Sequence, residues 1–163
     1  MSAAPVKTFM LEVQNIHTFI GEFHILEGVS VSVPPGSITV LLGRNGAGKT
    51  TTLRSIIGLT PPKTGQIIFN SQPIQGRPAF KIAQLGIGYV PENRIIFRDL
   101  TVAQNLQIAE RKKGDLERKA DFIFGLFPDL KRLYSLPGGN LSGGQQQMLA
   151  IARALVPDNT LLL

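Results

Sequence analysis

The chain has no cysteine among its 163 residues, which excludes disulfides and thiolate metal sites. No stretch approaches the roughly 18 uninterrupted apolar residues that a membrane-spanning helix requires. The opening Met1-Ser-Ala-Ala-Pro-Val-Lys7 has no apolar core, which argues against a secretory signal. Acidic residues are fewer than basic ones, 11 against 17, for a net charge of +6. Such a balance can favour nucleic acid or anionic lipid headgroups. The basic residues are scattered, however, and only Arg111-Lys112-Lys113 forms a run. The charge therefore reads as a solvated surface, and no nucleic-acid partner is expected. Histidine occurs twice, at His17 and His24; both read as surface or core residues. No internal repeat or low-complexity tract occurs. The remaining composition, 43% hydrophobic and 17% charged, is that of one globular domain with a sizeable core.

Two short segments carry chemistry. Gly43-Arg44-Asn45-Gly46-Ala47-Gly48-Lys49-Thr50 has the form G-x-x-x-x-G-K-[ST], a phosphate-binding loop. Its glycines let backbone N–H groups turn inward around phosphate oxygens. Lys49 offers a point charge to the β- and γ-phosphates, and Thr50 a hydroxyl to Mg²⁺. The context fits: Ser37–Leu42 reads as a buried strand before the loop, and Thr50–Ile57 as a helix after it. The second segment is Leu141-Ser142-Gly143-Gly144-Gln145. Ser142 is a helix N-cap, and Gln145 three residues on completes a capping box. Gly143 and Gly144 leave the first N–H groups open to an anion, which the helix dipole favours.

Between these motifs, Phe9–Val13, Val29–Val33, Gly65–Asn70 and Gly86–Val90 read as strands. Ala79–Gln84 reads as a short helix. Thr101-Val-Ala-Gln104 is a second capping box, with Val102, Leu106 and Ala109 at helical spacing behind it. Lys119–Phe127 repeats the helical pattern, Pro137–Asn140 breaks it, and Thr160–Leu163 is an apolar run that starts a strand.

Leu141–Gln145 followed by Gln146-Gln-Met-Leu-Ala-Ile-Ala-Arg-Ala-Leu155 resembles the signature segment of ATP-binding-cassette (ABC) ATPases. The resemblance covers nearly the whole chain, from Leu11 to Leu163. It implies an α/β fold: a P-loop NTPase core with an N-terminal antiparallel β-subdomain and an inserted α-helical subdomain. The expected division is an ATP-binding core over residues 1–98, a helical subdomain over 99–156, and the start of the Walker B strand over 157–163. Val90-Pro91-Glu92, with Arg94 and Ile96-Phe97 close behind, resembles the ATPase subunits of branched-chain amino acid importers. Gln146–Arg153 supports the same subgroup. Urea or short-chain amide importers carry closely similar ATPases and are the rival within transport. A soluble cassette ATPase acting on nucleic acid or ribosomes, and a nucleotide-binding fragment without turnover, are the rivals outside it.

The resemblance implies ATP and Mg²⁺ as cofactors. Gly43–Thr51, that is Gly43, Arg44, Asn45, Gly46, Ala47, Gly48, Lys49, Thr50 and Thr51, would hold the phosphates. Ser142, Gly143 and Gly144 would cover the γ-phosphate of a second ATPase subunit, identical or different. Lys49, Glu92 and Ser142 are the expected catalytic groups, and Thr50 and Glu92 the expected metal-side groups. Most cassette ATPases have glutamine where this chain has Glu92. A carboxylate there can hydrogen-bond a metal-bound water, and the cation keeps it ionised. The family stacks an aromatic on adenine just before a glycine in the segment matching Thr18-Phe19-Ile20-Gly21. Here Ile20 holds that position, so either an aliphatic face or Phe19 is expected to serve. Transmembrane permease subunits are the implied partners, and the cytoplasmic face of the membrane the implied location. The family's acid pair after the Walker B strand and its switch histidine have no counterpart, so the chain is expected to be C-terminally incomplete and inactive as an ATPase on its own.

Overall fold

A computed structural model describes residues 9–93 and 95–163. Residues 1–8 and Arg94, one of the residues behind the importer resemblance, lie outside the described residues. The chain divides into two compact units, Met1–Ile82 and Ala83–Leu163.

The first unit is built on an antiparallel sheet of order β2-β1-β3-β4. Its strands are β1 (Leu11–Ile20), β2 (Phe23–Val33), β3 (Thr64–Phe69) and β4 (Gln72–Pro73). The antiparallel β-subdomain is thus present, with β1 and β2 longer than their alternating stretches suggest. They join in a tight hairpin at Gly21-Glu22. Leu11, Val13 and Ile16 of β1, Leu26 and Val33 of β2, and Ile67 and Phe69 of β3 are buried. Helix α1 (Lys49–Ile56) adds Ile56 and Ile57 to this core, and Thr18 Oγ1 meets Ser55 Oγ at 3.0 Å across the buried helix–sheet seam. Each such aliphatic side chain contributes about 1.5–3 kcal/mol of burial. One contact fixes the register of β1 against β3. Gly65 has φ +95°, and a Cβ there would lie 2.4 Å from the Asn15 carbonyl oxygen; only glycine lets the two backbones come this close. Helix α2 (Ala79–Gln84) lies where the sequence puts it.

One expectation fails in this unit. Ser37–Leu42 is not a strand. Among the described residues no strand of its unit pairs with it, and Ile38, Val40 and Leu42 are 95%, 66% and 88% exposed. A run that is apolar on successive residues suits a strand covered on both faces. That structure forms only where neighbouring strands supply the hydrogen bonds, and this unit places none there.

The second unit combines a parallel strand pair with a helical core. Strand β5 (Ile87–Gly88) pairs in parallel with β6 (Leu161–Leu162). Hydrogen bonds from Thr160 N to Gly86 O and from Val90 N to Leu163 O, both 2.8 Å, extend the ladder at each end. Both predicted strands, Gly86–Val90 and Thr160–Leu163, therefore form and find each other. Helices α3 (Val102–Gln107), α4 (Asp115–Leu126), α5 (Pro128–Arg132) and α6 (Gly143–Leu155) follow the β5 strand in sequence. They enclose Val102, Leu106, Ile123, Leu130, Leu141, Leu149, Ala152 and Val156. Both capping boxes are present, on Thr101 with Gln104 and on Ser142 with Gln145. Helix α4 starts four residues before the predicted Lys119, because Glu110 secures its first turn, its Oε1 accepting from the N–H groups of Gly114 and Leu116 at 3.1 and 2.9 Å. Asp115 Oδ2 accepts from the N–H groups of Arg111 and Lys112 at 3.0 and 2.8 Å. No helix among the described residues is long and apolar enough to cross a membrane.

Candidate functional site

The Gly43–Thr50 segment forms a tight loop at the N-terminus of α1. Ala47 N–H bonds Arg44 O at 3.2 Å, and Gly46 and Gly48 adopt φ +82° and +83°. Gly48 is the N-cap, with no side-chain cap bond. A Cβ there would lie 2.6 Å from Leu26 Cδ2 and 3.6 Å from Ile25 O, so the loop's end sits flush against β2. Thr52 locks the same turn from below, its buried hydroxyl donating to Gly48 O at 3.0 Å. Lys49 folds back over the loop, and its Nζ donates to the carbonyls of Gly43 and Arg44, both at 2.9 Å. The ammonium is thereby held at the loop mouth. No acidic residue stands in the first turn of α1, so the partial positive charge of the helix end is undiminished. Arg44, Asn45, Gly46, Ala47 and Thr50 are exposed. An exposed loop with two glycines at positive φ, a fixed lysine and a helix N-terminus suits a polyphosphate.

Phe19 lies on β1 in the same unit. Its ring stacks on His24 at 4.2 Å and 3°, with Lys63 Nζ 5.1 Å from its centroid. Ile20 is half exposed at the hairpin end. The hairpin is tied to the loop's support because His24 directly precedes Ile25 and Leu26, which meet Gly48.

In the second unit, Ser142 starts α6. Its Oγ accepts from Gln145 N at 3.3 Å, and its own N–H donates to Gln145 Oε1 at 2.9 Å. Gln146 Nε2 donates to Leu141 O at 3.1 Å and fixes the approach to the helix. Ser142, Gly143 and Gly144 are exposed, and no acid stands in this first turn either. A Cβ on Gly144 would meet nothing within 4 Å. Nothing in its own unit requires glycine at this position.

Glu92 lies exposed in a turn after β5. Two residues that the sequence did not single out anchor the segment behind it. Arg153, on α6, donates through Nη1 to Ile95 O at 2.7 Å and lies 4.8 Å above the Phe97 ring. Burial lowers its pKa from the ordinary arginine value, which marks a desolvated guanidinium. Asn105, fully buried on α3, accepts from Phe97 N at 2.9 Å and donates to the carbonyls of Phe97, Leu100 and Thr101 at 2.8–3.0 Å. The visible hint in the sequence was a polar residue at a helical core position, Asn105 beside Leu106. Signature helix and Glu92 segment are thus joined by Arg153. Among the described residues no group of three or more His, Asp or Glu is placed to hold a metal ion.

Residues 26–163 match the family model described as "ABC transporter". The high-affinity branched-chain amino acid transport ATP-binding protein BraG of Pseudomonas aeruginosa is 40% identical over 156 residues, 94% of this chain and 67% of that protein. The probable branched-chain amino acid transport ATP-binding protein LivF of Archaeoglobus fulgidus is 37% identical, over 94% of this chain and 66% of its own length. Proteins named for sulfate/thiosulfate import and lipopolysaccharide export also match. A nucleotide-free ATP-binding cassette of known structure superposes with a TM-score of 0.77 at 30% identity, covering 91% of this chain and 65% of that one. The chain thus spans about two thirds of the length of these relatives.

Proposed function

The chain belongs to the ABC transporter family, and from that premise we propose that it is the ATP-binding part of an importer for branched-chain amino acids. Gly43–Thr51 binds the phosphates of ATP, with Lys49 neutralising the β- and γ-oxygens. Thr50 and Glu92 serve the Mg²⁺ side. Ser142–Gly144 of a second ATPase subunit closes over the γ-phosphate. A Mg²⁺ held on the Thr50 and Glu92 side would supply positive charge to offset that of the phosphates. The protein's share is positioning and electrostatics rather than covalent chemistry. Closure of the two subunits would move permease subunits at the cytoplasmic face of the membrane. The fold itself is the α/β fold of the P-loop cassette ATPases.

The observation that carries this reading is the presence, in one chain, of two glycine-rich helix N-termini with no acidic residue in the first turn. One is clamped by Lys49. The other is capped by Ser142 and opened by Gly144, whose missing side chain nothing in its unit requires. A glycine free of internal demands fits a surface that something else approaches closely. The solute rests on the names of the relatives BraG and LivF. Sulfate and lipopolysaccharide transporters share the family, so binding-protein-dependent uptake of labelled leucine by the reconstituted transporter is the deciding measurement. Uptake of sulfate and not leucine would overturn the solute assignment and leave the ATPase reading intact. For the phosphate loop, Lys49→Ala should remove most ATP affinity or abolish turnover in the whole subunit. Turnover and affinity at the level of the unaltered protein would refute it.

A further inference from the structure

We propose that His17 and His24 form a two-imidazole site for a borderline divalent transition metal ion of the Zn²⁺, Ni²⁺ and Cu²⁺ class. The two residues lie on adjacent strands, β1 and β2, with Phe19 opposite His24 and a register irregularity between Thr18 and Phe19. That irregularity brings His24 toward His17, and His17 Nδ1 lies 3.1 Å from His24 Nε2. Metal–imidazole bonds are about 2.0–2.1 Å long, so two nitrogens on one ion are about 2.9 Å apart at a right angle and about 3.4 Å apart at the tetrahedral angle. The observed separation falls between these values, within the range of both square-planar and tetrahedral ions.

The pair is also held in place. Strand β1 is bonded on both sides, to β2 and β3. The His24 ring lies on Phe19 at 4.2 Å and 3°, and the two imidazole rings meet nearly edge to edge, with centroids 5.2 Å apart and 29° between their planes. For both lone pairs to meet one ion the rings must turn from this in-line contact, a movement that the Phe19 ring limits on the His24 side. The contact between the rings is now a hydrogen bond, so one nitrogen carries a proton. Ligation by both requires that proton to move to the other nitrogen of the same ring, a tautomer change through water with no net proton loss. No third His, Asp or Glu completes a metal cluster among the described residues. The remaining positions belong to water, which makes the site open and the ion exchangeable. Lys63, lying over the Phe19 ring, opposes a cation nearby, while Glu22 and Glu27 lie on the same hairpin and favour one. Because His24 leads directly into the residues that meet Gly48, an ion here would stiffen the strand that supports the phosphate loop.

The test is titration of the chelator-treated chain with Zn²⁺ and Ni²⁺, with Mg²⁺ as control, read by the ring ¹⁵N resonances of the two histidines. The expected result is one equivalent bound, both rings shifting together, and no response to Mg²⁺. His17→Gln and His24→Gln should each weaken Ni²⁺ binding about tenfold or more, since a single imidazole remains. Both side chains are at least partly exposed, and circular dichroism checks that each variant keeps its fold. Binding that persists unchanged in either variant, rings that respond independently, or no binding by the unaltered chain would overturn the proposal. The last result would mean that the pair is only a hydrogen bond that tightens the hairpin.

Discussion

Replacing Asn105 by alanine should destabilise the second unit by about 3 kcal/mol, and the structure says where the loss arises. The side chain is fully buried and serves four backbone groups. Three are carbonyls that keep another donor when it is removed. Phe97 O retains Leu100 N–H at 3.3 Å, Leu100 O retains Gly138 N–H at 2.9 Å, and Thr101 O retains the backbone N–H of residue 105 at 2.9 Å. The fourth group, Phe97 N–H, bonds to Asn105 Oδ1. Orphaning that donor costs about 1–3 kcal/mol, and each weakened carbonyl adds about 0.5 kcal/mol or more. Asn105→Asp should be worse. An ionised carboxylate would face three carbonyl oxygens with no proton to offer them, so the group must either stay protonated or break the cluster. The assay is urea unfolding followed by circular dichroism. With a slope of about 1.5 kcal/mol per molar urea, the alanine variant's midpoint should fall by about 2 M at unchanged slope. Hydrogen exchange at Phe97 N–H should accelerate more than at Leu149, in the helical core. A midpoint change under about 0.5 M, or Asp tolerated as well as Ala, would refute the view that Asn105 fixes the Phe97–Thr101 segment.

Asp115 makes a pH-dependent contribution. The N–H of Lys112, aided by Arg118 and the N–H of Arg111, holds its carboxyl below the usual carboxylate range. The unfolded chain therefore takes up this proton first as pH falls through about 4. The stabilisation is complete above that value and is lost as pH drops toward the folded one. Asp115→Asn should thus be less stable than the parent at pH 7, with the two stabilities converging below pH about 4; parallel stability–pH curves would contradict this. Gly65→Ala should cost the first unit more than Gly76→Ala. Both have positive φ, which costs about 1–2 kcal/mol for alanine, but a Cβ at 65 overlaps the Asn15 carbonyl while one at 76 meets nothing within 4 Å. Equal unfolding midpoints for the two variants would mean that the β1–β3 contact yields without cost. Gly144→Asp should leave ATP binding by a single subunit intact and block ATP-driven dimerisation of the whole subunit, because it sets a carboxylate where the γ-phosphate is expected. Light scattering that shows normal dimers with ATP would refute the role given to that helix end.

What the sequence determined by itself was whatever is written within a few residues. The phosphate loop, both capping boxes and the helix after Lys49 are local devices. A glycine at positive φ, a hydroxyl three residues from an amide and a lysine beside a tight turn need no distant partner. The runs around Ile87 and Leu161 could also be read as strands, because short apolar segments bounded by turn residues state a preference that pairing then realises. Tertiary structure decided everything that depends on a partner far along the chain. Ser37–Leu42 has the composition of a buried strand yet forms none, since strand identity is completed only by a neighbour's hydrogen bonds. The roles of Asn105 and Arg153 were hidden for the same reason. Only the folded chain shows the Phe97 amide and the Ile95 carbonyl that they satisfy. His17 and His24, read from the sequence as bland, became a pair only through the β1–β2 register. Local chemistry follows from adjacent residues, whereas register and burial are set by the summed energy of many remote contacts, which no short window of sequence contains.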